Sequence, residues 1–144
     1  MKELVQKINK YLIFLFLYII INPGCEKIED SVIPSVPFSY LINLTLHAEI
    51  NVAGNSIFIP NIAYGGVIVY CEMPGSFYAY DATCTHEVNP SCKIVNEGVL
   101  GTCTCCQSEF LFASGGFPTS GPAKEGLRQY YTSLVNGMLR VYNP

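Results

Sequence analysis

Apolar and polar residues alternate with period two along much of the chain beyond position 37. Phe38, Tyr40, Ile42, Leu44 and Leu46 fall on one side of such an alternation, the pattern of a half-buried strand. Ile57 and Ile59, then Val67-Ile68-Val69-Tyr70, then Phe77-Tyr78-Ala79-Tyr80 form short β-branched and aromatic runs. Gly54-Asn55, Gly65-Gly66 and Pro74-Gly75 supply turns around them. Towards the C-terminus, Tyr130 to Val135 and Met138 to Tyr142 flank Asn136-Gly137. Asn-Gly accepts the positive φ angles of a type I′ turn, so this segment predicts a two-residue hairpin. No stretch sustains a helical period, and there is no internal repeat. The expectation is an all-β domain over 38–144, with the cysteine-rich stretch 82–122 projecting from it as loops.

The start of the chain reads differently. Lys2, Lys7 and Lys10 precede an uncharged run from Tyr11 to Ile21, followed by Asn22-Pro23-Gly24-Cys25. A basic start, a short apolar run and small residues before a cysteine predict a secretory signal over 1–24. The run is short for a membrane-spanning helix, and lysines interrupt an anchor reaching back through Leu4 and Val5. Gly24-Cys25 resembles a bacterial lipobox, although Asn22 and Pro23 depart from the usual aliphatic and small residues. The resemblance implies lipidation of Cys25, a lipid anchor on a membrane and a place in the bacterial cell envelope, with the domain in the periplasm or at the cell surface. More than one acyl chain makes such anchoring stable. An ordinary cleaved signal with a nearby cysteine is the alternative. Residues 25–37, with Glu29, Asp30, Pro34 and Pro37, then read as a tether. Glu26 to Pro37 would reach about 40 Å if fully extended.

Composition changes the picture once the leader is set aside. The whole chain is 50% hydrophobic with a net charge of −3. Residues 25–144 carry five Lys and Arg against ten Asp and Glu, a net charge of −5 (5 − 10). No basic cluster offers the positive stripe that nucleic acid or an anionic lipid surface requires.

The candidate chemistry lies in the cysteines. Cys84-Thr85-His86 and Cys103-Thr104-Cys105-Cys106 are two short loops bearing soft ligands, and four of the seven cysteines fall between 92 and 106. Thiolate and imidazole together select iron–sulfur clusters or zinc over magnesium or calcium. These loops, the second extended by Gln107-Ser108-Glu109-Phe110, resemble the two binding loops of Rieske iron–sulfur proteins. That pattern is C-T-H with a later cysteine, then C-P-C-H-G-S-x-F or Y. The approach Gly66-Val67-Ile68-Val69-Tyr70 through Phe77-Tyr78-Ala79-Tyr80-Asp81 is similar as well. So is Gly121-Pro122-Ala123 with Leu127, where the family places a proline loop over its cluster. The resemblance covers about residues 60 to 142. It implies an antiparallel β-sandwich or barrel with a loop-rich cluster-binding subdomain.

It also implies roles. Cys84 and Cys103 would hold one iron of a two-iron two-sulfur cluster, and His86 with Cys106 the other. Cys92 and Cys105 match the positions that form a loop-tying disulfide in quinol-oxidising members, a bond that persists outside the cytosol. The chain departs from the pattern in three places. Cys106 replaces the second histidine, Gln107 replaces a glycine, and five residues rather than two separate His86 from Cys92. A third thiolate adds negative charge to the site, which favours the oxidised state. The potential should therefore fall between those of Rieske centres and all-cysteine ferredoxins.

Three classes follow. The first is a membrane-tethered electron carrier with no catalytic activity of its own, serving an unidentified redox partner protein. In the second, Cys84, His86, Cys103 and Cys106 complete a zinc tetrahedron. The third is a cluster-free, disulfide-stapled surface binding domain. Thiol exchange through Cys103-x-x-Cys106 is disfavoured, because no helix is there to lower the nucleophile's pKa. His47 reads as a strand or surface residue, and Cys71 as a buried thiol.

Overall fold

The computed structural model describes residues 31–144. The expected signal and lipidation site at Cys25 lie outside them. Ten strands follow one another: β1 (Phe38–Asn43), β2 (Ser56–Ile59), β3 (Val67–Met73), β4 (Ser76–Asp81), β5 (Ile94–Glu97), β6 (Leu100–Cys103), β7 (Glu109–Leu111), β8 (Phe117–Ser120), β9 (Gln129–Val135) and β10 (Met138–Asn143). They form a six-stranded sheet, ordered β1-β10-β9-β4-β3-β2, and a four-stranded sheet, ordered β5-β6-β7-β8. Every strand pairing is antiparallel. The only helices among the described residues are single 3-10 turns at Ala48–Asn51 and Phe112–Ser114. The fold is all-β, as the alternation implied.

β3 explains how the two sheets share an interior. Val67 through Cys71 are all buried. Val67, Val69 and Cys71 pack with Ile42, Ile57 and Leu139 on one face of the large sheet. Ile68 and Tyr70 pack on the other face, with Tyr80 from β4, Ile94 and Phe110 from the small sheet and Phe112 from the 3-10 turn after β7. A strand covered on both faces reads as a continuous apolar run rather than an alternation. The Tyr80 hydroxyl donates to the Phe112 carbonyl at 2.8 Å, joining the layers with a buried hydrogen bond.

The structure corrects three expectations. The stretch 82–122 is not all loop, since β5 to β8 build a sheet within it. The alternation from Phe38 overstates β1, which ends at Asn43, with Leu46 exposed in the turns beyond. His47 is therefore in a turn, its ring 3.3 Å from Glu49. The hairpin at Asn136-Gly137 forms as expected, with φ of 50° and 77° and Val135 opposite Met138. Packing also begins before β1. Ile33 is buried, its carbonyl accepts from Arg128 Nη1 at 2.9 Å, and Asn143 Nδ2 donates to Ser35 Oγ and the Val36 carbonyl.

Candidate metal centre

Two loops meet at one pole. The first leaves the end of β4, and its base is a short ladder. Ile94 N–H donates to the Ala82 carbonyl at 2.7 Å and Cys84 N–H to that of Cys92 at 3.0 Å. The second, Cys103 to Ser108, joins β6 to β7 and closes through Cys103 N–H to the Ser108 carbonyl at 2.9 Å. Thr104 N–H donates to the Lys93 carbonyl at 2.9 Å, linking the loops by backbone. A disulfide between Cys92 and Cys105 links them covalently, with the Cα atoms 5.4 Å apart.

Inside that clamp the sulfurs of Cys84, Cys103 and Cys106 lie within 4.8 Å of one another. Cys84 and Cys106 are 3.5 Å apart. Cys84 and Cys103 are buried and Cys106 is partly exposed. His86 is exposed, and its ring nitrogens fall outside this group of three. The pole thus brings together three of the four expected ligands, with the histidine at its surface. Glu87 sits near the sulfurs of Cys92 and Cys105, but those sulfurs are bonded to each other.

The thiols differ electrostatically. Burial pushes the Cys84 thiol up to about 12, because a thiolate loses hydration there. Burial also opposes ionisation of Cys106, but hydrogen bonds from the Ser108 hydroxyl and backbone N–H, and from the other two thiols, outweigh it and hold this thiol below its usual range. Ser108 is fully buried, and its Oγ accepts the Ala123 N–H at 3.0 Å. That leaves the hydroxyl proton for Cys106 Sγ, 3.2 Å away. Ala123 belongs to the segment starting at Gly121-Pro122, where Ala123 and Leu127 are buried against the same core as Cys84 and Cys103. Gly121 has φ +85°, and a Cβ there would meet Ser108 Cα at 2.5 Å. Thr85 Oγ1 ties the first loop to this segment through the Glu125 carbonyl at 2.8 Å.

A carboxylate anchors the whole arrangement. Asp81, fully buried at the end of β4, accepts from the N–H groups of Tyr64, Gly65 and Thr83 and from the Tyr130 hydroxyl at 2.7 Å. Its own N–H donates to the Arg128 carbonyl. Sequence reasoning gave no role to Asp81, Thr85 or Ser108. Thr85 and Ser108 stand within the resembled motif and Asp81 closes the segment leading into it, so their match to that pattern, beside the ligands, was the signal available.

Three clustered thiols are a donor set for soft metals, and two sulfurs in a dry interior suit an iron–sulfur cluster or zinc. The donor types fit either. The spacing bears on the choice, because two thiolates about 2.3 Å from one tetrahedral ion stand about 3.8 Å apart. Cys84 and Cys106, at 3.5 Å, are near that value.

No family model matches the chain, and no curated protein matches it. Solved structures with some likeness to it include ferredoxins. One is from the complex of reduced oxygenase and oxidised ferredoxin in carbazole 1,9a-dioxygenase, with 22% identity over 62% of this chain and 89% of that one, and a TM-score of 0.47. A ferredoxin of Sphingomonas yanoikuyae B1 matches at 18% identity over 64% and 88%, with a TM-score of 0.45. The ferredoxin of carbazole 1,9a-dioxygenase from Nocardioides aromaticivorans IC177 matches at 20% over 74% and 97%, with a TM-score of 0.48.

Proposed function

We propose that this protein is a membrane-tethered, Rieske-like two-iron two-sulfur carrier of single electrons. The observation that carries the reading is the convergence of Cys84, Cys103 and Cys106 between two disulfide-clamped loops, at the positions of the family's binding motif. Cys84 and Cys103 would hold one iron, and His86 with Cys106 the other. A bound cluster supplies a one-electron couple. The chain buries two of its sulfurs away from water, directs the Ser108 hydroxyl at a third, and leaves His86 at the surface, where an electron partner would reach it. The partner would be another redox protein.

The anchor would be a lipid on Cys25. Eight residues lead from there to the buried Ile33, a reach of about 28 Å at full extension. The Ile33 carbonyl accepts from Arg128, whose own carbonyl accepts the Asp81 N–H at the end of β4, so the anchored chain would join the body beside the strand that leads into the first loop. Labelled palmitate should enter the wild type and not Cys25→Ser. Equal labelling of both removes the anchor.

A second reading is a single zinc ion on the same thiols, favoured by the 3.5 Å separation of Cys84 and Cys106. Anaerobic purification with metal and sulfide analysis separates the two. Two irons with two acid-labile sulfides and visible absorption support the carrier. One zinc supports the second reading, and absence of metal leaves the disulfide-stapled binding domain. The variant Cys106→His supplies a further check, since it exchanges an anionic ligand for a neutral one. The potential should rise by on the order of 100 mV, because site charge helps set these values. An iron-loaded variant with unchanged potential and spectrum would falsify ligation by Cys106.

A further inference from the structure

We propose that, in the metal-free protein, Cys84 and Cys106 form a second, reversible disulfide, so that the thiol redox state decides whether the site can take up metal. The proposal rests on the metal-site reading only for the competition with metal; the pairing itself stands on the three sulfurs.

Cysteine at position 106 makes this possible, because the histidine of the related motif has no sulfur to pair. Cys84 Sγ and Cys106 Sγ are 3.5 Å apart, whereas a disulfide bond is about 2.05 Å long. Small side-chain rotations would close a gap of about 1.5 Å. The two residues sit on opposite loops already held together by Cys92–Cys105, so closing the bond needs no large backbone movement. Cys103 is the less suited partner. Its sulfur accepts the Cys105 N–H at 3.4 Å, and Cys105 is fixed by its own disulfide.

Access sets the order of events. Cys106 is partly exposed and Cys84 fully buried, so an external oxidant meets Cys106 first. With glutathione disulfide as oxidant, the Cys106 sulfur attacks one glutathione sulfur and the other glutathione leaves as its thiolate. The Cys84 sulfur then attacks Cys106 in the mixed disulfide and expels the second glutathione. Two protein thiols are oxidised and one glutathione disulfide is reduced to two thiols, which collect the two protons released. Metal needs both sulfurs as free thiolates, so disulfide and metal exclude each other.

The test is a glutathione redox titration of the metal-free protein, with thiol alkylation and non-reduced peptide mapping, followed by zinc uptake at each redox poise. The expected result is a peptide linking Cys84 to Cys106 under oxidising conditions, in addition to Cys92–Cys105. Zinc uptake by that form should be at least tenfold weaker than by the reduced form and should return on reduction. In Cys106→Ser, Cys84 should remain open to alkylation in the same buffers. Finding Cys84 alkylated in the oxidised wild type, or joined to Cys103, overturns the proposal, as does equal zinc uptake by the oxidised and reduced forms. A mapped Cys84–Cys106 bond in a protein that assembles no iron cluster when reduced supports the pairing and defeats the electron-carrier reading alone. A cluster-bearing protein whose metal-free form never joins these residues does the reverse.

Discussion

Gln107 has φ +58°, a left-handed conformation, at the position where the Rieske motif carries glycine. The turn from Cys103 to Ser108 requires that angle, and a non-glycine residue pays roughly 1–2 kcal/mol for it. Gln107→Gly should therefore raise stability, by about 0.5–1 kcal/mol after the greater freedom of glycine in the unfolded chain is counted. Urea unfolding measures this, and a lower midpoint would show that the Gln107 side chain contributes more than the strain costs. Tyr130 gives a second test at this scale. Burial, together with the Asp81 carboxylate beside it, raises its pKa, and burial does the same for Tyr80. Both hydroxyls stay protonated in the fold while the unfolded chain ionises near pH 10. Their contribution is thus intact below about pH 10 and falls as pH rises, by about 1.4 kcal/mol per unit for each group. Tyr130→Phe should cost about 1.5–3 kcal/mol at pH 7 through the lost bond to a carboxylate. It should also show a shallower alkaline loss than the wild type. Parallel alkaline curves would mean that Tyr130 is not the titrating group.

At the scale of elements, the segment from Gly121 to Leu127 is held against the second loop by close contact rather than by strand pairing. Gly121 matters twice, for its positive φ and because Ser108 leaves no room for a Cβ. Gly75, in the β3–β4 turn, has φ +90° but open space around it. Gly75→Ala should cost about 1–2 kcal/mol from conformation alone. Gly121→Ala should cost that plus roughly 1–3 kcal/mol of overpacking, and should loosen the Ala123–Ser108 hydrogen bond that shapes the pole. Chemical denaturation of both variants decides this, and equal losses would show that the segment yields freely.

For the whole molecule, the strap from residue 31 to β1 is part of the folded body. Ile33 is 1% exposed and so buried as deeply as the sheet core. Ile33→Ala should lower stability by about 2–4 kcal/mol. A loss below about 1 kcal/mol would mean the strap is held by the hydrogen bonds of Arg128 and Asn143 instead. Its attachment to Arg128 links the incoming chain through Asp81 to the first loop, three residues before Cys84. Burial of Ile33 was not legible beforehand, because one isoleucine among prolines and charges has no period to reveal it.

The sequence by itself determined the β class, the hairpin at Asn136-Gly137, the strand at Val67–Tyr70 and the two loops whose cysteines converge. Each of these follows from local chemistry: side-chain period, the positive φ that Asn and Gly accept, and cysteines a few residues apart. Tertiary structure decided the rest. The four-stranded sheet was hidden, because strands of three or four residues broken by glycines carry too little periodicity. The Asp81 anchor and the Ser108–Ala123 contact join residues 15 to 49 positions apart, which no local pattern encodes. The same holds for the metal pole. Cys84 and Cys106 could be named from the chain, but the 3.5 Å between them depends on two sheets, a disulfide and the loops they hold in register.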